Sequence, residues 1–454
     1  MTPAWKADAS IGRGWQTRYT DITSFHGGEF QELIMLRVLS TVCGLLMVTT
    51  IGNAGDWPAF RGPHGDGTTD AKNVPVTWSA NEHVQWKTPM PQAANGSPIV
   101  VGDRVFVTTA EDADGKQRSL IALNLDDGKE LWKRTVTIDK KLPTHGTNPY
   151  AGSTPVSDGK HVIVWHATGG LHCYTVAGEP VWQRDFGEFR HIWGYGTSPI
   201  LHNGHVILHS GPGAKVFVAA LNLQNGDTVW QHDEPVDGDG SQTPDKRYFG
   251  SWTTPVMAVV DGREQMFVAL PTRLVTMDPE TGKVLWWCEG LRHGGGDLAY
   301  SSPLVTPGAI FVTGGYNGPA FAVKTDGEGN VTESHRLWRT EKQPQSIGSG
   351  VVVDGLVYRP NAGPGTIDCV DPLTGKMLWR DRASGGTHWA SIVMAEGRAY
   401  ATDQSGTTVV FKPNKDKYEE LAKNTLQEST NATPAVIDGK LIFRTSKHVI
   451  CISQ

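Results

Sequence analysis

Short apolar runs of a few residues each recur along this chain, separated by polar turns that contain glycine. One unit of the pattern begins at Ser97, has apolar runs at 99–101 and 105–107 on either side of a Gly-Asp turn, and ends at Trp132. Apolar runs of this length, bounded by Gly and Asp, are typical of strands joined by tight hairpins, because such turns need the positive φ that glycine adopts freely. The pattern therefore predicts antiparallel strands and offers no long apolar stripe for a helix.

Repetition of this unit is the most informative property of the sequence. Each copy begins with Ser or Thr, followed in most copies by proline, and these first residues are Ser97, Thr154, Ser198, Thr254, Ser302, Ser349, Ser391 and Thr433. Most copies close on a tryptophan about 50 residues after the previous one, a length typical of the four short strands of a propeller blade. We therefore predict an all-β fold, an eight-bladed β-propeller with four-stranded antiparallel blades.

The last unit stops after its third strand, so its blade lacks an outer strand. An unpaired strand edge invites association with other chains, and the segment around Val84 and Trp86 has the closing-tryptophan character without a unit of its own. We expect this N-terminal strand to complete the last blade and to close the ring. The tryptophans expected to pack between adjacent blades are Trp86, Trp132, Trp182, Trp230, Trp286, Trp338 and Trp379.

The amino-terminal part of the chain follows a different pattern. Residues 35–54 run from a methionine and an arginine through a short apolar stretch to small residues, which is the form of a Sec signal peptide. We expect 1–34 to be a disordered extension upstream of the true start, 35–54 to be the signal peptide, and 55–454 to form a single propeller that is secreted or periplasmic, with no transmembrane segment in the mature chain. If translation starts at Met1 instead, the apolar stretch becomes an internal anchor.

Composition and charge limit the kinds of molecule that the protein is expected to bind. The chain carries 53 glycines and 16 tryptophans, and charged residues make up only 19% of it. Its net charge of -6 is spread without blocks of like sign, so the sequence offers no basic surface for nucleic acid. Cys173, Cys288, Cys369 and Cys451 fall in different repeats and are expected to be buried apolar side chains. Export would permit disulfides, and their pairing stays open.

The repeats resemble those of a known group of proteins. Segments of the form Ala-Leu-Asn-Leu-x-x-Gly-x-x-Leu-Trp, as at 122–132, resemble the pyrroloquinoline-quinone-like (PQQ-like) repeat of quinoprotein alcohol dehydrogenases and of the outer-membrane assembly lipoprotein BamB. The segments 56–63 and 421–448 resemble a family of secreted bacterial propellers, so the resemblance extends over 55–454. It implies the propeller fold, which serves both enzymes and scaffolds.

The quinoprotein side of the resemblance implies a quinone near the propeller axis, under a disulfide between adjacent cysteines and beside Ca²⁺, with an Asp as base. This sequence has no pair of adjacent cysteines and lacks the large insertions that build the cofactor cover. Its histidines show no metal-ligand spacing. We therefore expect no cofactor, no metal site and no catalytic residues, with PQQ and Ca²⁺ as the alternative.

Aromatic residues and histidines precede the first residues of several units at similar offsets. Because the same loop in each blade opens on the same face, these side chains are expected to gather around one mouth of the central channel. Such a funnel suits a planar ligand, a sugar, a peptide or a metal; alternatively, the aromatics only cap the ring and fill its end. The predicted ligand-binding residues are Tyr150, His191, Trp193, Tyr195, Trp252, His293, Asp297, Tyr300, His388 and Trp389.

These observations favour one class of function and leave two others open. The leading hypothesis is a non-catalytic extracytoplasmic propeller, monomeric, that binds a protein, a peptide or a carbohydrate. The alternative is a PQQ-dependent oxidoreductase, or a degenerate relative that binds the quinone. A glycan-processing enzyme ranks last because it needs two carboxylates at the funnel, and Asp297 is the only acid that the pattern places there.

Overall fold

The computed structural model describes residues 55–454, so the predicted upstream extension and signal peptide lie outside the described residues. Within 55–454, helix is confined to a 3₁₀ turn at Ala167–Gly169 and a single α-helical turn at Thr332–His335. The all-β prediction is confirmed. No helix in this part of the chain has the length and apolar character needed to cross a membrane.

Eight antiparallel sheets, each built on four strands, follow one another along the chain. Sheet 1 comprises Ile99–Val101, Arg104–Ala110, Gln117–Asn124 and Glu130–Thr137, and sheet 2 comprises Val156–Ser157, His161–Trp165, Leu171–Thr175 and Pro180–Arg184. Sheet 3 comprises Ile200–His202, His205–His209, Val216–Asn222 and Thr228–Glu234, and sheet 4 comprises Val256–Val260, Arg263–Ala269, Arg273–Met277 and Val284–Glu289. Sheet 5 comprises Leu304–Thr306, Ala309–Thr313, Ala320–Val323 and Arg336–Thr340, and sheet 6 comprises Val351–Val353, Leu356–Pro360, Ile367–Val370 and Met377–Asp381. Sheet 7 comprises Val393–Ala395, Arg398–Thr402, Thr407–Phe411 and Glu420–Thr425.

Sheet 8 draws its strands from both ends of the described chain. Ala435–Ile437, Lys440–Arg444 and His448–Ser453 are consecutive, and the outer strand is Val84–Pro89, which pairs antiparallel with His448–Ser453. Sheets 1 and 8 also share one apolar core, in which Val105 and Val107 pack with Phe443 and Ile450.

Three short additions extend this plan. Thr68–Thr69 pairs in parallel with the inner strand of sheet 7, and Gly329–Asn330 pairs in parallel with the outer strand of sheet 4. A separate small sheet, called here the loop sheet, joins Tyr248–Ser251, Gly296–Ala299 and Arg292–His293.

Closing tryptophans fasten six of the eight sheets to the sheet that follows. Six of the seven donate the indole N–H to a carbonyl of the following sheet at 2.7–3.1 Å: Trp86 to Leu125, Trp132 to Val176, Trp182 to Leu223, Trp230 to Pro279, Trp338 to Pro372 and Trp379 to Asn414. In five of these six contacts a glycine of the contacted turn lies against the ring; at Gly226, where φ is +75°, an added Cβ would lie 2.7 Å from Trp182. Glycine is needed there both for its backbone angle and for the close approach.

A small residue faces each closing tryptophan from the neighbouring strand. The pairs are Cys451 with Trp86, Ala122 with Trp132, Cys173 with Trp182, Ala220 with Trp230, Thr276 with Trp286, Ala322 with Trp338 and Cys369 with Trp379. Three of the four described cysteines therefore fill a position that alanine takes in other sheets. All four are buried and free, as expected for apolar packing.

The eight residues that begin the sequence repeats form a closed ring of hydrogen bonds. The backbone N–H of each donates to the side-chain hydroxyl of the next, at 2.9–3.3 Å, in the order Ser97, Thr154, Ser198, Thr254, Ser302, Ser349, Ser391, Thr433 and back to Ser97. These residues precede the inner strands, so the hydroxyl ring, as we call it, connects each of the eight sheets to its neighbours.

Residues 56–74, called here the floor segment, cross the inner strands of several sheets. Trp57 is fully buried and exchanges backbone hydrogen bonds of 2.8 and 2.9 Å with the inner strand of sheet 1. The buried guanidinium of Arg61 donates to a backbone carbonyl beside sheet 6 at 2.7 Å, and the Lys72 carbonyl accepts from the turn of sheet 8 at 2.8 Å. The segment thereby places Phe60 against the hydroxyl ring.

Candidate ligand-binding cavity

A cavity of about 570 Å³ is lined by all eight members of the hydroxyl ring. Phe60 forms its floor, and a second cavity of about 240 Å³ on the other side shares Phe60, Thr254 and Ser302 with it. The exposed residues His145 and Tyr316 line the opposite end. The cavity is therefore a cup that opens at the end away from the floor segment.

The inner wall of the cup presents hydroxyl groups with unused donor capacity. All eight ring side chains are at most 5% exposed, and each hydroxyl oxygen already accepts one backbone N–H. The Ser302 hydroxyl donates to the Thr254 carbonyl at 2.9 Å. Among residues 55–454, the other hydroxyl protons have no protein acceptor, so they are available to an acceptor in the cup.

A second ring of residues lies above the hydroxyls. Every residue that stands two positions before a ring hydroxyl lines the cavity: Asn95, Gly152, Gly196, Trp252, Tyr300, Ile347, Trp389 and Asn431. The two glycines are adjacent in this ring, and an added Cβ at Gly196 would meet only Trp252, at an ordinary 3.5 Å, and the Gly152 carbonyl at 4.0 Å. The space beside Gly196 is open, whereas an added Cβ at Gly152 would lie 2.6 Å from the Tyr195 carbonyl oxygen. In the second ring, asparagines lie on one side of the two glycines and aromatic residues on the other.

The aromatic side of the cup is centred on Trp193. Its ring stacks on Tyr316, with centroids 5.9 Å apart and planes 9° apart, and lies 4.4 Å from the ring of Tyr248 and 5.9 Å from that of Trp252. Tyr300 contacts Trp252 with centroids 5.4 Å apart. Aromatic rings at these separations form one continuous apolar wall.

Tyr316 is held at the rim in an unfavourable backbone conformation. Its φ is 55°, a value that tyrosine rarely adopts, and its side chain is 47% exposed. A strained residue persists where the surrounding structure fixes it, and such positions cluster at functional sites. Tyr316 therefore presents an exposed ring at the mouth of the cup.

The opposite side of the cup is built from amides. The Asn95 side-chain nitrogen donates to the Thr147 carbonyl at 3.0 Å and to Asn148 Oδ1 at 3.1 Å, and the Asn431 side chain donates to the same Thr147 carbonyl at 3.0 Å. Asn148 in turn donates to the Trp193 carbonyl at 2.7 Å. The amide cluster and the aromatic wall thus position each other.

Four of the ten predicted site residues line this cup: Trp193, Trp252, Tyr300 and Trp389. The other six pack elsewhere. They are Tyr150, His191, Tyr195, His293, Asp297 and His388. The structure therefore brings the tryptophans and one tyrosine together at the mouth and places the predicted histidines and the acid behind or beside it.

His191 supports the wall from behind. Its Nε2 donates to the Phe249 carbonyl at 3.0 Å, its Nδ1 accepts the Trp193 N–H at 3.0 Å, and its ring meets Trp252 edge-on at 4.7 Å. Burial lowers the pKa of His191 to about 4, so the imidazole is neutral at physiological pH. It positions two tryptophans and does not itself line the cup.

Asp297 anchors the loop sheet. This fully buried carboxylate accepts from Arg247 Nη1 at 2.7 Å and lies 3.1 Å from Arg292 Nη1. Burial raises its pKa, although both arginines oppose that shift. Since Tyr248 and Trp252 flank one strand of the loop sheet and Tyr300 follows another, this ion-paired acid fixes three aromatic residues of the cup.

The remaining predicted residues have packing partners of their own. The Arg118 guanidinium lies 5.2 Å above the rings of both Tyr150 and Tyr195, and the Tyr150 hydroxyl donates to the Leu142 carbonyl at 2.6 Å. His388 is fully buried, and burial lowers its pKa. His293 accepts the Gly295 N–H at 3.1 Å within the loop.

Sequence reasoning missed the polar half of the cup and the rim tyrosine. Asn95 and Asn431 stand two residues before a unit start, as Trp252 and Trp389 do. This shared offset could have identified the two asparagines as residues that line the cavity. Tyr316 follows a strand of sheet 5 and shares no such offset, so no repeat position marked it.

Formal charge is absent from the lining of the cup. No Asp, Glu, Lys or Arg of the described residues lines it, and His145 is the only histidine among the described residues that line it. Within 55–454, no group of three or more His, Cys, Asp and Glu side chains is arranged to hold a metal ion. The cup is an electroneutral site of aromatic, hydroxyl and amide groups.

Comparison with solved structures identifies the fold. BamB from Moraxella catarrhalis superposes with a TM-score of 0.55 at 12% identity, covering 80% of this chain and 96% of that one. The quinohemoprotein alcohol dehydrogenase from Comamonas testosteroni gives a TM-score of 0.57 at 14% identity, with 87% and 80% covered. A europium-containing methanol dehydrogenase gives 0.61 at 11% identity, with 87% and 89% covered. At these identities the likeness shows the propeller-like fold alone, and no curated protein sequence matches the chain.

A family model gives the more specific result. The model described as outer membrane protein assembly factor BamB matches residues 68–151, 118–362 and 363–452. These matches extend over nearly all of the described residues and confirm the resemblance drawn from the repeats. The chain therefore belongs to the PQQ-like, BamB-type β-propeller repeat family.

Proposed function

We propose that the eight sheets are the blades of one closed, eight-bladed propeller, and that the protein is a non-catalytic, extracytoplasmic binding module whose ligand occupies the cup. The outer strand Val84–Pro89 and the closed hydroxyl ring support the architecture. A ring closed in this way pairs its strand edges internally, which supports a monomer. The match to a family named for outer-membrane assembly supports a location outside the cytoplasm.

The observation that carries the proposal is the convergence of unused hydroxyl donors and an aromatic wall on one cavity. A hydrogen bond contributes about 0.5–1.5 kcal/mol net, so each ring hydroxyl that donates its free proton to a ligand adds to the binding free energy. Its size lies within the range of about 300–1,000 Å³ that is typical of small-molecule sites. No pair of carboxylates lines the cup, which favours binding over glycoside hydrolysis.

The proposal is tested with a variant that fills the cup. Gly196→Leu places an apolar side chain in open space, because an added Cβ there has no contact closer than 3.5 Å. Libraries of peptides, glycans and planar heterocycles are screened by the rise in Tm that binding to the folded state produces. A ligand of the cup raises the Tm of the wild type and leaves that of Gly196→Leu unchanged.

The matched control for this screen is Trp287→Ala. Trp287 lies on the outer strand of sheet 4, with Arg273 5.4 Å above its ring, and lines no part of the cup. It loses an aromatic side chain without altering the cavity, so binding is expected to persist. If a ligand raises the Tm of Gly196→Leu as much as that of the wild type, the binding site lies elsewhere and the assignment of the cup as the binding site is wrong.

The second candidate is a quinone-dependent oxidoreductase, which the structural likeness to alcohol and methanol dehydrogenases favours. Pyrroloquinoline quinone carries several carboxylates and is expected beside Ca²⁺, which takes oxygen ligands that are largely carboxylates. The lining of the cup has neither cationic nor acidic side chains, so the residues present do not fit this group. Titration with PQQ and Ca²⁺, followed by absorbance and calorimetry, decides the point: stoichiometric binding that Trp193→Ala abolishes would favour the oxidoreductase.

A further inference from the structure

The chemistry of the cup narrows its ligand beyond the proposed function, on which this inference rests. First, the lining is electroneutral. A charged ligand would leave water for a site without counter-charges, which costs several kcal/mol and is rarely tolerated. A formally uncharged ligand meets no such penalty.

Second, the lining demands a ligand rich in oxygen. All the buried hydroxyls of the ring except that of Ser302 offer protons that have no acceptor among residues 55–454, and hydroxyl oxygens keep a free lone pair as well. The Asn95 and Asn431 side chains face the same space from the second ring. Only a ligand that carries donors and acceptors around its whole edge can pair with a ring of this kind.

Third, the aromatic residues of the lining favour a ligand that has an apolar face. The stacked pair of Trp193 and Tyr316 rises on one side of the open space beside Gly196, and Trp389 stands elsewhere in the ring. A flat ring with polar edges and an apolar C–H face meets all three conditions, since aromatic side chains pack against such faces. An extended peptide would instead bring backbone groups along its full length.

We propose that the cup binds a short neutral saccharide, with the apolar face of a sugar ring against Trp193 and Tyr316 and its hydroxyl groups toward the hydroxyl ring and the amide cluster. The volume of about 570 Å³ accommodates a few sugar units and excludes a folded domain. The inference names the ligand class of the proposed site and adds no chemical step.

The experiment compares neutral with charged saccharides on the full chain. Neutral disaccharides and trisaccharides of hexoses and N-acetylhexosamines are titrated by calorimetry and by intrinsic tryptophan fluorescence, together with uronic-acid and glucosamine analogues of equal length. At least one neutral saccharide is expected to bind, and its charged analogues are expected to bind at least tenfold more weakly.

Two variants locate the binding. Tyr316→Gly removes the stacked ring and relieves the positive φ of 55°, so the fold is expected to remain intact while affinity falls about tenfold, the equivalent of one aromatic contact. Gly196→Leu is expected to abolish binding. Trp287→Ala is the matched control and is expected to stay within about twofold of the wild type, since its ring lies outside the cup.

Each outcome bears on the inference. Equal affinity for neutral and uronic-acid saccharides overturns it, as does neutral binding that Tyr316→Gly leaves unchanged. If no neutral saccharide binds but a peptide or heterocycle binds and is lost in Gly196→Leu, the saccharide inference fails and the proposed function stands. If every ligand found binds Gly196→Leu as well as the wild type, both fail.

Discussion

Trp86 tests directly whether the two ends of the described chain close a ring. Its side chain is 8% exposed and its indole N–H donates to the Leu125 carbonyl of sheet 1 at 2.7 Å. Replacing a buried aromatic residue by alanine costs about 3–5 kcal/mol, and this range includes the lost hydrogen bond of about 0.5–1.5 kcal/mol. Trp86→Ala is therefore expected to lower the free energy of unfolding by about 3–5 kcal/mol.

The matched comparison is Trp230→Ala. Trp230 is 9% exposed, donates to the Pro279 carbonyl at 3.0 Å and lies in a sheet built from consecutive strands. If Val84–Pro89 is a full member of sheet 8, the two variants lose similar stability. Urea unfolding followed by circular dichroism measures both, and with a slope of about 3 kcal/mol per M the midpoints fall by roughly 1–1.7 M.

The result that would refute closure is equally definite. A strand that does not hold the ring would leave Trp86→Ala within about 0.5 kcal/mol of the wild type, as for surface substitutions, while Trp230→Ala still shows the full loss. Unchanged slopes in both variants keep the comparison valid, because a changed slope would indicate an altered denatured or native state.

Three further predictions concern packing and charge. Gly226→Ala is expected to cost more than Gly204→Ala, since both positions have positive φ but only an added Cβ at Gly226 would meet Trp182, at 2.7 Å; thermal unfolding of the pair measures the difference. His191 has a pKa lowered by burial from 6.5 to about 4, so between these values the unfolded chain binds the proton first and the free energy of unfolding falls as pH drops. Between pH 7.5 and pH 4.5, His191→Gln is expected to lose less free energy of unfolding than the wild type, as measured by urea unfolding at the two pH values. An equal loss in the two proteins would mean that His191 is charged in the folded state. Cys451→Ala is expected to lower the free energy of unfolding by about 1 kcal/mol or less, because alanine fills the equivalent position in three other sheets. Cys451→Leu overpacks the same position and is expected to lower it by about 1–3 kcal/mol. An equal loss in the two variants would contradict the view that the position opposite each closing tryptophan requires a small residue.

The repeat could be predicted from the sequence because residues with the same structural role recur at the same position in most repeat units. The eight Ser and Thr residues at the unit starts were visible as a series before any role was known, and the structure gives each one the same hydrogen bond. Periodic spacing survives in a sequence when every copy meets the same neighbours. The closing tryptophans were visible for the same reason.

The direction of loop side chains was not predictable in this way. His191 and Trp193 stand two residues apart in one loop, yet only the tryptophan reaches the cup. No strand or helix period governs which way such residues point. Asp297 illustrates a second limit, because Arg247, one of its two arginine partners, lies 50 residues earlier in the chain and no local pattern links the two residues.

The floor segment also dictates an order of events as the chain is made. Residues 56–89 leave the ribosome early, but several of their partners lie between residues 350 and 453. Contacts so distant in sequence form late, after the intervening loops have closed. A polypeptide interrupted before its last sheet would therefore lack Asn431 and Thr433 from its cup and a mate for its first long strand, and that unpaired strand would mark it as incomplete. The cup is complete only when the last sheet has joined the other seven.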